Sequence, residues 1–337
     1  MIGIVSDSVF MNHDTGSHHP ESPMRIHYVH TLFAPREDPL LRLIEPVRAS
    51  VDDVLLNHGR RHIDRIARAS SAGTLVDLDP DTVCCPESYD TALLAAGSLV
   101  ELVRMALGRE IDTGFASVRP PGHHARTDEA MGFCLFNNVA IAARKAIACF
   151  GARKVAIIDF DVHHGNGTQE SFYSDSSVLY FSTHQYPFYP GTGHVSETGS
   201  GEGTGHTVNC PLRGGKGDGE YLAVYRFVLA PLLESYEPDL VIVSAGFDAH
   251  ARDPIGGMRV TSRGFAAITA AIQEAAHAVG APTVYALEGG YNLGALKESV
   301  SCMVEVLKGA PGPEIEPATF PELDVIIREH ARMWPLL

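Results

Sequence analysis

Six short, continuous runs of β-branched and other apolar residues recur along this chain, most of them separated by stretches long enough for a helix. They are IGIVSD (2–7), GFASV (114–118), KVAIIDFDV (154–162), VLYFST (178–183), DLVIVSAGF (239–247) and TVYALEGG (283–290). Runs that do not alternate with polar residues describe strands buried on both faces, the condition of a parallel sheet covered by helices. Helical patterns fall at 88–107, ending at Gly108, at 137–150 with an Asn cap, and at 261–279 with a Thr or Ser cap and Gly280 beyond. A fourth, 219–236, contains Pro231, which is expected to kink or split it. Strand–helix alternation of this kind predicts an α/β fold with a parallel sheet and helices on both faces. No repeat or composition break marks a second domain, so residues 1–337 are expected to form one domain. The Pro-rich segment and C-terminal helix of 310–337 are expected to pack on it.

Composition narrows the partners. Hydrophobic residues make up 45% of the 337, ample for a core of that size. The net charge of −15 opposes a nucleic-acid backbone as partner but does not repel a cationic substrate. The N-terminus has no Lys or Arg before Arg25 to start a secretory signal, and no apolar run approaches the roughly 18–20 residues of a membrane span. Six scattered Cys without a C-x-x-C, including an adjacent Cys84–Cys85 pair read as inert, suggest reduced thiols and a cytoplasmic protein. Self-association is left open. The unusual count is His: there are 17, and they cluster.

In open parallel sheets, ligands bind outside the carboxyl ends of the strands, so the residues following each run matter most. RPPGHHA follows the second run with His123 and His124. The third runs into HHGNGTQ and gives Asp159, Asp161, His163, His164 and Asn166. Asp248 and His250 follow the fifth run, and Tyr291 the sixth. Because strand side chains alternate with period 2, Asp159, Asp161 and His163 are expected to point the same way, with Asp248 as a neighbouring carboxylate. Two oxygen donors and an imidazole suit a divalent ion such as Zn²⁺. Without a cation, three ionisable groups crowded at a strand end would be costly. Pro120, Pro121 and Gly122 supply the irregular backbone that lets adjacent His123 and His124 serve one site, where a neutral imidazole can take a proton from water. A phenol at Tyr291, in a Gly-Gly-Tyr turn, can donate to a developing oxyanion. His13, His18 and His19, in a polar N-terminal loop, read as structural or rim residues.

RPPGHHA, GFCLFNN (132–138), DFDVHHGNGTQ (159–169), YPGTG (189–193), AGFDAHARDP (245–254) and EGGYNL (288–293) together resemble the histone deacetylase superfamily. They are most similar to its class II and bacterial deacetylase-like amidohydrolase branch, which borders the acetylpolyamine amidohydrolases. The match runs from about HHPESPMR (18–25) to VLKG (306–309). The resemblance implies an arginase-like domain with an eight-stranded parallel sheet, the active site at the carboxyl ends of the strands, and one catalytic Zn²⁺. The ligands would be Asp161, His163 and Asp248; His123 would pair with Asp159, His124 with Asn166, and Tyr291 would be the transition-state tyrosine. Gly132 and Phe133, with Phe188 or Tyr189, would wall a narrow channel for an acyl-lysine stem. Structural K⁺ would sit at Asp159 and Ser182. Ile255 stands where polyamine-preferring relatives of the class IIb type are expected to carry an acidic gatekeeper, which favours acyl-lysine over a polyamine. The YPFYPGTG loop is not the usual class II aromatic pair.

The reaction expected is hydrolysis of an N-acyl amide, most simply N-ε-acetyl-lysine, by water under Zn²⁺, the His pair and Tyr291. Three rivals remain: an acetylpolyamine deacetylase, a binuclear manganese hydrolase of the ureohydrolase type, and a silent acyl-lysine or small-molecule binding module. The manganese rival needs bridging carboxylates, and none is found beyond Asp159.

Overall fold

Nearly every residue of the longer strands is buried, as continuous apolar runs require. The structure, a computed structural model, describes residues 1–33 and 38–336. Its strands are β1 (Ile2–Ser6), β2 (Leu41–Leu43), β3 (Val76–Asp77), β4 (Val83–Cys84), β5 (Thr113–Ser117), β6 (Val155–Asp159), β7 (Val178–Gln185), β8 (Thr207–Leu212), β9 (Leu240–Ala245) and β10 (Thr283–Leu287). β3 and β4 form a small antiparallel hairpin. The other eight form a parallel sheet in the order β2-β1-β5-β10-β9-β6-β7-β8, flanked by helices.

The chain divides into two compact units. The first comprises Met1–Ala152, Asn166–Ser171 and Val284–Gly289. Within it β1 pairs with β2 and β5, with Ile4 opposite Phe115. Helices Ser88–Leu107 and Asn138–Cys149 supply Leu93, Ala96 and Ile141 to a core that also holds Ile63, Leu135 and Phe136. The Asn cap is present: the Asn137 side chain accepts the Ala140 N–H.

The second unit comprises Arg153–Gly165, Phe172–Thr283 and Gly290–Leu337. Here β6 lies between β7 and β9, so Asp159 stands in register with Ser182 on one side and Ser244 on the other. Thr261 caps helix Ser262–Ala278 through the Gly264 N–H. The split expected at Pro231 takes a specific form: α-helices Asp218–Val224 and Ala230–Tyr236 flank a π-helical turn over Tyr225–Leu229. There the Ala230 N–H reaches back five residues to the Tyr225 carbonyl, which widens the turn where the proline ring would clash with the carbonyl four residues earlier. Helix Pro321–His330 docks beside β8, with His330 Nε2 2.9 Å from the Asn209 carbonyl oxygen.

Two strands end sooner than their apolar runs. β6 stops at Asp159 and β9 at Ala245, so Asp161, His163 and Asp248 belong to loops. Alternation along a strand therefore does not bring them together.

Several histidines are buried as neutral rings. His58 donates from Nδ1 to the Arg126 carbonyl at 3.0 Å and accepts the Asn137 N–H at Nε2, 2.8 Å away. Burial, reinforced by His62, holds its pKa down at about 3. Burial likewise lowers His13 to about 3 and His184 to about 4. A depressed folded pKa stabilises the fold above the unfolded value of 6.5, and that contribution is lost as pH falls from there toward 3–4. Each ring is then worth about 2 kcal/mol between pH 7 and pH 5. The urea midpoint should fall steeply over that interval, and His58→Gln should flatten the slope; a midpoint independent of pH from 7 to 5 would contradict this.

Candidate active site

The loop after β6 is tied down by its own carboxylates. The Asp161 N–H donates to Asp159 Oδ1 at 3.1 Å, the Val162 N–H to Asp248 Oδ1 at 2.8 Å, and the His163 N–H to Asp161 Oδ1 at 3.0 Å. Three successive amides thus aim at three aspartates, and this gathers the cluster that strand alternation was expected to gather. His163 Nδ1 lies 3.2 Å from Asp161 Oδ1 and 3.1 Å from Asp248 Oδ2. One donor atom from each of Asp161, His163 and Asp248 lies within 4.8 Å of the others, and all three residues are buried.

Burial, then the neighbouring Asp161 carboxylate, pushes the Asp248 carboxyl up to about 7. Burial works against a charge on His163, but hydrogen bonds to Asp161 and Asp248 outweigh it and hold the imidazole up at about 10. The cluster therefore demands positive charge. A proton on Nδ1 meets that demand, and so does a divalent cation, which leaves Nδ1 its lone pair as a ligand. Two carboxylates and one imidazole fit such an ion in charge and donor type.

Backbone approach makes the site possible. A Cβ on Gly246 would lie 2.0 Å from Asp161 Oδ2. Gly246→Ala should therefore displace Asp161 and weaken metal binding at least about tenfold in chelator competition. Wild-type affinity in a folded Gly246→Ala protein would contradict that packing.

Phe188 and Tyr189 of the second unit pack against the His163 ring of this loop. Asp159, fully buried, accepts the Tyr180 hydroxyl at Oδ2 3.1 Å away, and Ser182 Oγ is 2.9 Å from His184 Nδ1. Of the two aromatics left open by the sequence, Phe188 stacks on the His163 ring at 5.3 Å and 16°. Tyr189 meets that ring edge-on at 6.1 Å and is 38% exposed. Ile255 is half-buried, with its N–H on Asp253 Oδ1 at 3.0 Å. The Tyr291 N–H donates to Asp253 Oδ2 at 2.7 Å.

In the first unit, the rings of buried His123 and His124 are 4.0 Å apart. His124 Nδ1 is 2.8 Å from Asn166 Oδ1, while Asn166 Nδ2 faces Met131 Sδ at 3.3 Å. Gly132, at φ +56°, lies against the His124 ring, where a Cβ would come within 2.4 Å. Phe133 also adopts positive φ, at 69°. The Asp81 carboxylate accepts the Gly132 N–H at 3.2 Å, and the Thr82 hydroxyl accepts the Phe133 N–H at 3.0 Å.

Residues 19–307 match the histone deacetylase domain. The chain belongs to the histone deacetylase family. It is 43% identical to histone deacetylase 10, chloroplastic, of Oryza sativa subsp. japonica, covering 78% of this chain and 62% of that protein. It is 39% identical to a probable deacetylase of Archaeoglobus fulgidus, covering 86% and 81%. It is 37% identical to histone deacetylase 7 of Homo sapiens, covering 98% and 39%. The crystal structure of the HDA15 HD domain superposes with a TM-score of 0.90 at 35% identity, covering 99% of this chain and 97% of that one. The chain thus spans well under two thirds of the human relative and just under two thirds of the rice one. The Oryza and human relatives carry the name histone deacetylase, and the Archaeoglobus one that of a probable deacetylase. No helix among the described residues is long and apolar enough to cross a membrane.

Three carboxylates inside the family motifs have partners that the sequence did not announce. Asp253 of AGFDAHARDP holds the Tyr291 turn. Glu288 of EGGYNL accepts the Gly122 N–H at 2.7 Å and the His123 N–H at 3.2 Å, ahead of the His pair. Glu21 of HHPESPMR is fully buried between Arg25 and Arg119, which hold its carboxyl well below the usual range despite burial. Motif membership was the only signal available for them.

Proposed function

We propose that the chain is a zinc-dependent deacylase that hydrolyses N-ε-acyl-lysine, most simply acetyl-lysine, or a similar N-acylated amine. The observation that carries this reading is the buried convergence of Asp161, His163 and Asp248 in a member of the deacetylase family. One Zn²⁺ held by these three would supply Lewis acidity toward the amide oxygen and keep a coordination position open for water.

The chain's own groups carry the rest. Asn166 Oδ1 beside His124 Nδ1 favours the tautomer with the proton on Nδ1, so the basic lone pair is on Nε2. His124 takes a proton from the attacking water and returns it to the leaving amine nitrogen. An amide partner, unlike a carboxylate, places no negative charge beside the imidazole. His123, paired with Asp159, supports the charge that develops on His124. Tyr291 donates its phenolic proton in a hydrogen bond to the oxygen of the tetrahedral carbon. Gly132, Phe133, Phe188, Tyr189 and Ile255 wall the acyl-lysine stem. The Phe188 stack on His163 supports Phe188 as the closer wall. Asp159 and Ser182 would hold a structural K⁺, an assignment favoured by their register on neighbouring strands and their complete burial. The whole chain acts as one catalytic domain in the cytoplasm, where its cysteines stay reduced.

Zinc-loaded protein should release acetate from acetyl-lysine peptides faster than from acetylpolyamines, because Ile255 offers no charge to a second amine. Peptide binding without acetate release would replace this reading with a binding module, and faster polyamine turnover would reverse the substrate.

A further inference from the structure

The Asp253 carboxylate has no part in the mechanism above, yet it is 9% exposed and sits beside the turn that carries Tyr291. Its Oδ2 accepts the N–H of Tyr291 at 2.7 Å and that of Asn292 at 3.3 Å, and its Oδ1 accepts the N–H of Ile255 at 3.0 Å. Asp253 is itself anchored, its own N–H donating to the His250 carbonyl at 2.8 Å. On the far side of Tyr291, the Asn292 side chain caps helix Leu293–Leu307 through the Ala295 N–H at 3.0 Å. On the near side, Gly290 adopts φ +118°, where a Cβ would press on Leu296 and Phe247 at 3.1 Å each. Local preference does not fix such a backbone, so the turn depends on what grips it from outside.

We infer that Asp253 is the positioning residue for Tyr291, a carboxylate clamp that sets the phenol's place by holding the amides of Tyr291, Asn292 and Ile255 at once. The inference rests on the reading of Tyr291 as oxyanion donor. The same carboxylate joins the turn to the half-buried Ile255, so the donor and a channel wall share one anchor. A charged acceptor suits three N–H donors better than a neutral one. Burial pushes the Asp253 carboxyl up, and the N–H groups of Tyr291, Ile255 and Asn292 oppose that rise by donating to it. A residue with a purely space-filling role would not need that charge.

Asp253→Asn tests the clamp because it keeps the shape but turns one acceptor into an NH₂ donor. That donor must face either the Tyr291 and Asn292 amides or the Ile255 amide. Zinc content should stay near one per chain, and KM for an acetyl-lysine peptide should change little. The kcat should fall on the order of 10²-fold, the loss expected from misplacing a catalytic group by about 1 Å. In a Tyr291→Phe background the same substitution should change kcat less than about threefold, because the group it positions is already gone. Amide exchange of the 289–293 segment should also accelerate in Asp253→Asn, a readout independent of turnover. If Asp253→Asn folds poorly, Asp253→Ser, which also cannot hold both sides, takes its place in the cycle.

Additive losses in the double variant would overturn the inference while leaving Tyr291 in the mechanism. So would wild-type kcat in Asp253→Asn. Wild-type kcat in Tyr291→Phe would instead remove the reading on which the inference rests.

Discussion

Asp161→Ala is expected to purify without zinc and to hydrolyse acetyl-lysine peptides no faster than buffer does. The reason is the charge balance of the cluster. With both aspartates ionised, Asp161, His163 and Asp248 carry two negative charges in a buried site, which a divalent ion neutralises. Removing one carboxylate halves that charge and breaks the donor set, since one aspartate and one imidazole no longer close around an ion. The loss is separable from unfolding. Asp161 is one of the groups that raise the Asp248 carboxyl, so its removal relieves a repulsion in the metal-free protein. Zinc should raise the melting temperature of the wild type by linkage and leave that of Asp161→Ala unmoved. A variant that hydrolyses the peptide without bound metal would exclude Asp161 as a ligand.

Tyr291→Phe is expected to lower kcat by about 10²–10³-fold, the loss typical of removing one oxyanion donor, or roughly 3–4 kcal/mol. Zinc content should remain near one per chain because the phenol is not a ligand, and KM should change little because the hydrogen bond strengthens only as charge develops. The backbone should tolerate the change: the Tyr291 N–H on Asp253 is untouched by loss of the hydroxyl. Unchanged turnover would remove Tyr291 from the reaction, and loss of zinc would show instead that the ring supports the metal cluster.

The fold was legible where burial wrote itself into composition. β1, β5, β6, β7, β9 and β10 coincide with the six apolar runs. β2 and β8 do not, and each has a physical reason. β2 is three residues long, with Arg42 and Leu43 exposed at the edge of the sheet, so it carries no buried signal. β8 reads TVNCPL, and its Asn209 and Pro211 argue against a central strand; it lies at the opposite edge, where a missing N–H is tolerated, and helix Pro321–His330 covers it.

The residues of the site were legible as types, but their geometry was not. DFDVHH placed Asp161 and His163 near one another, yet the device that gathers them is a loop whose amides face carboxylates. Alternation along a strand would not have required Gly246 against Asp161. Phe188 and Tyr189 are neighbours of similar chemistry, and only ring orientation against His163 separates them. Asp253 and Glu288 escaped because a sequence does not reveal which carboxylates turn toward backbone N–H groups.

The central claim is most directly tested by the zinc-edge X-ray absorption spectrum of protein loaded with one equivalent of Zn²⁺. The account predicts a shell of oxygen and nitrogen donors alone at about 2.0–2.2 Å with the outer-shell scattering of a single imidazole, lost in His163→Ala. A sulfur donor near 2.3 Å, two or more imidazoles, or a metal–metal vector near 3.5–4 Å would contradict it.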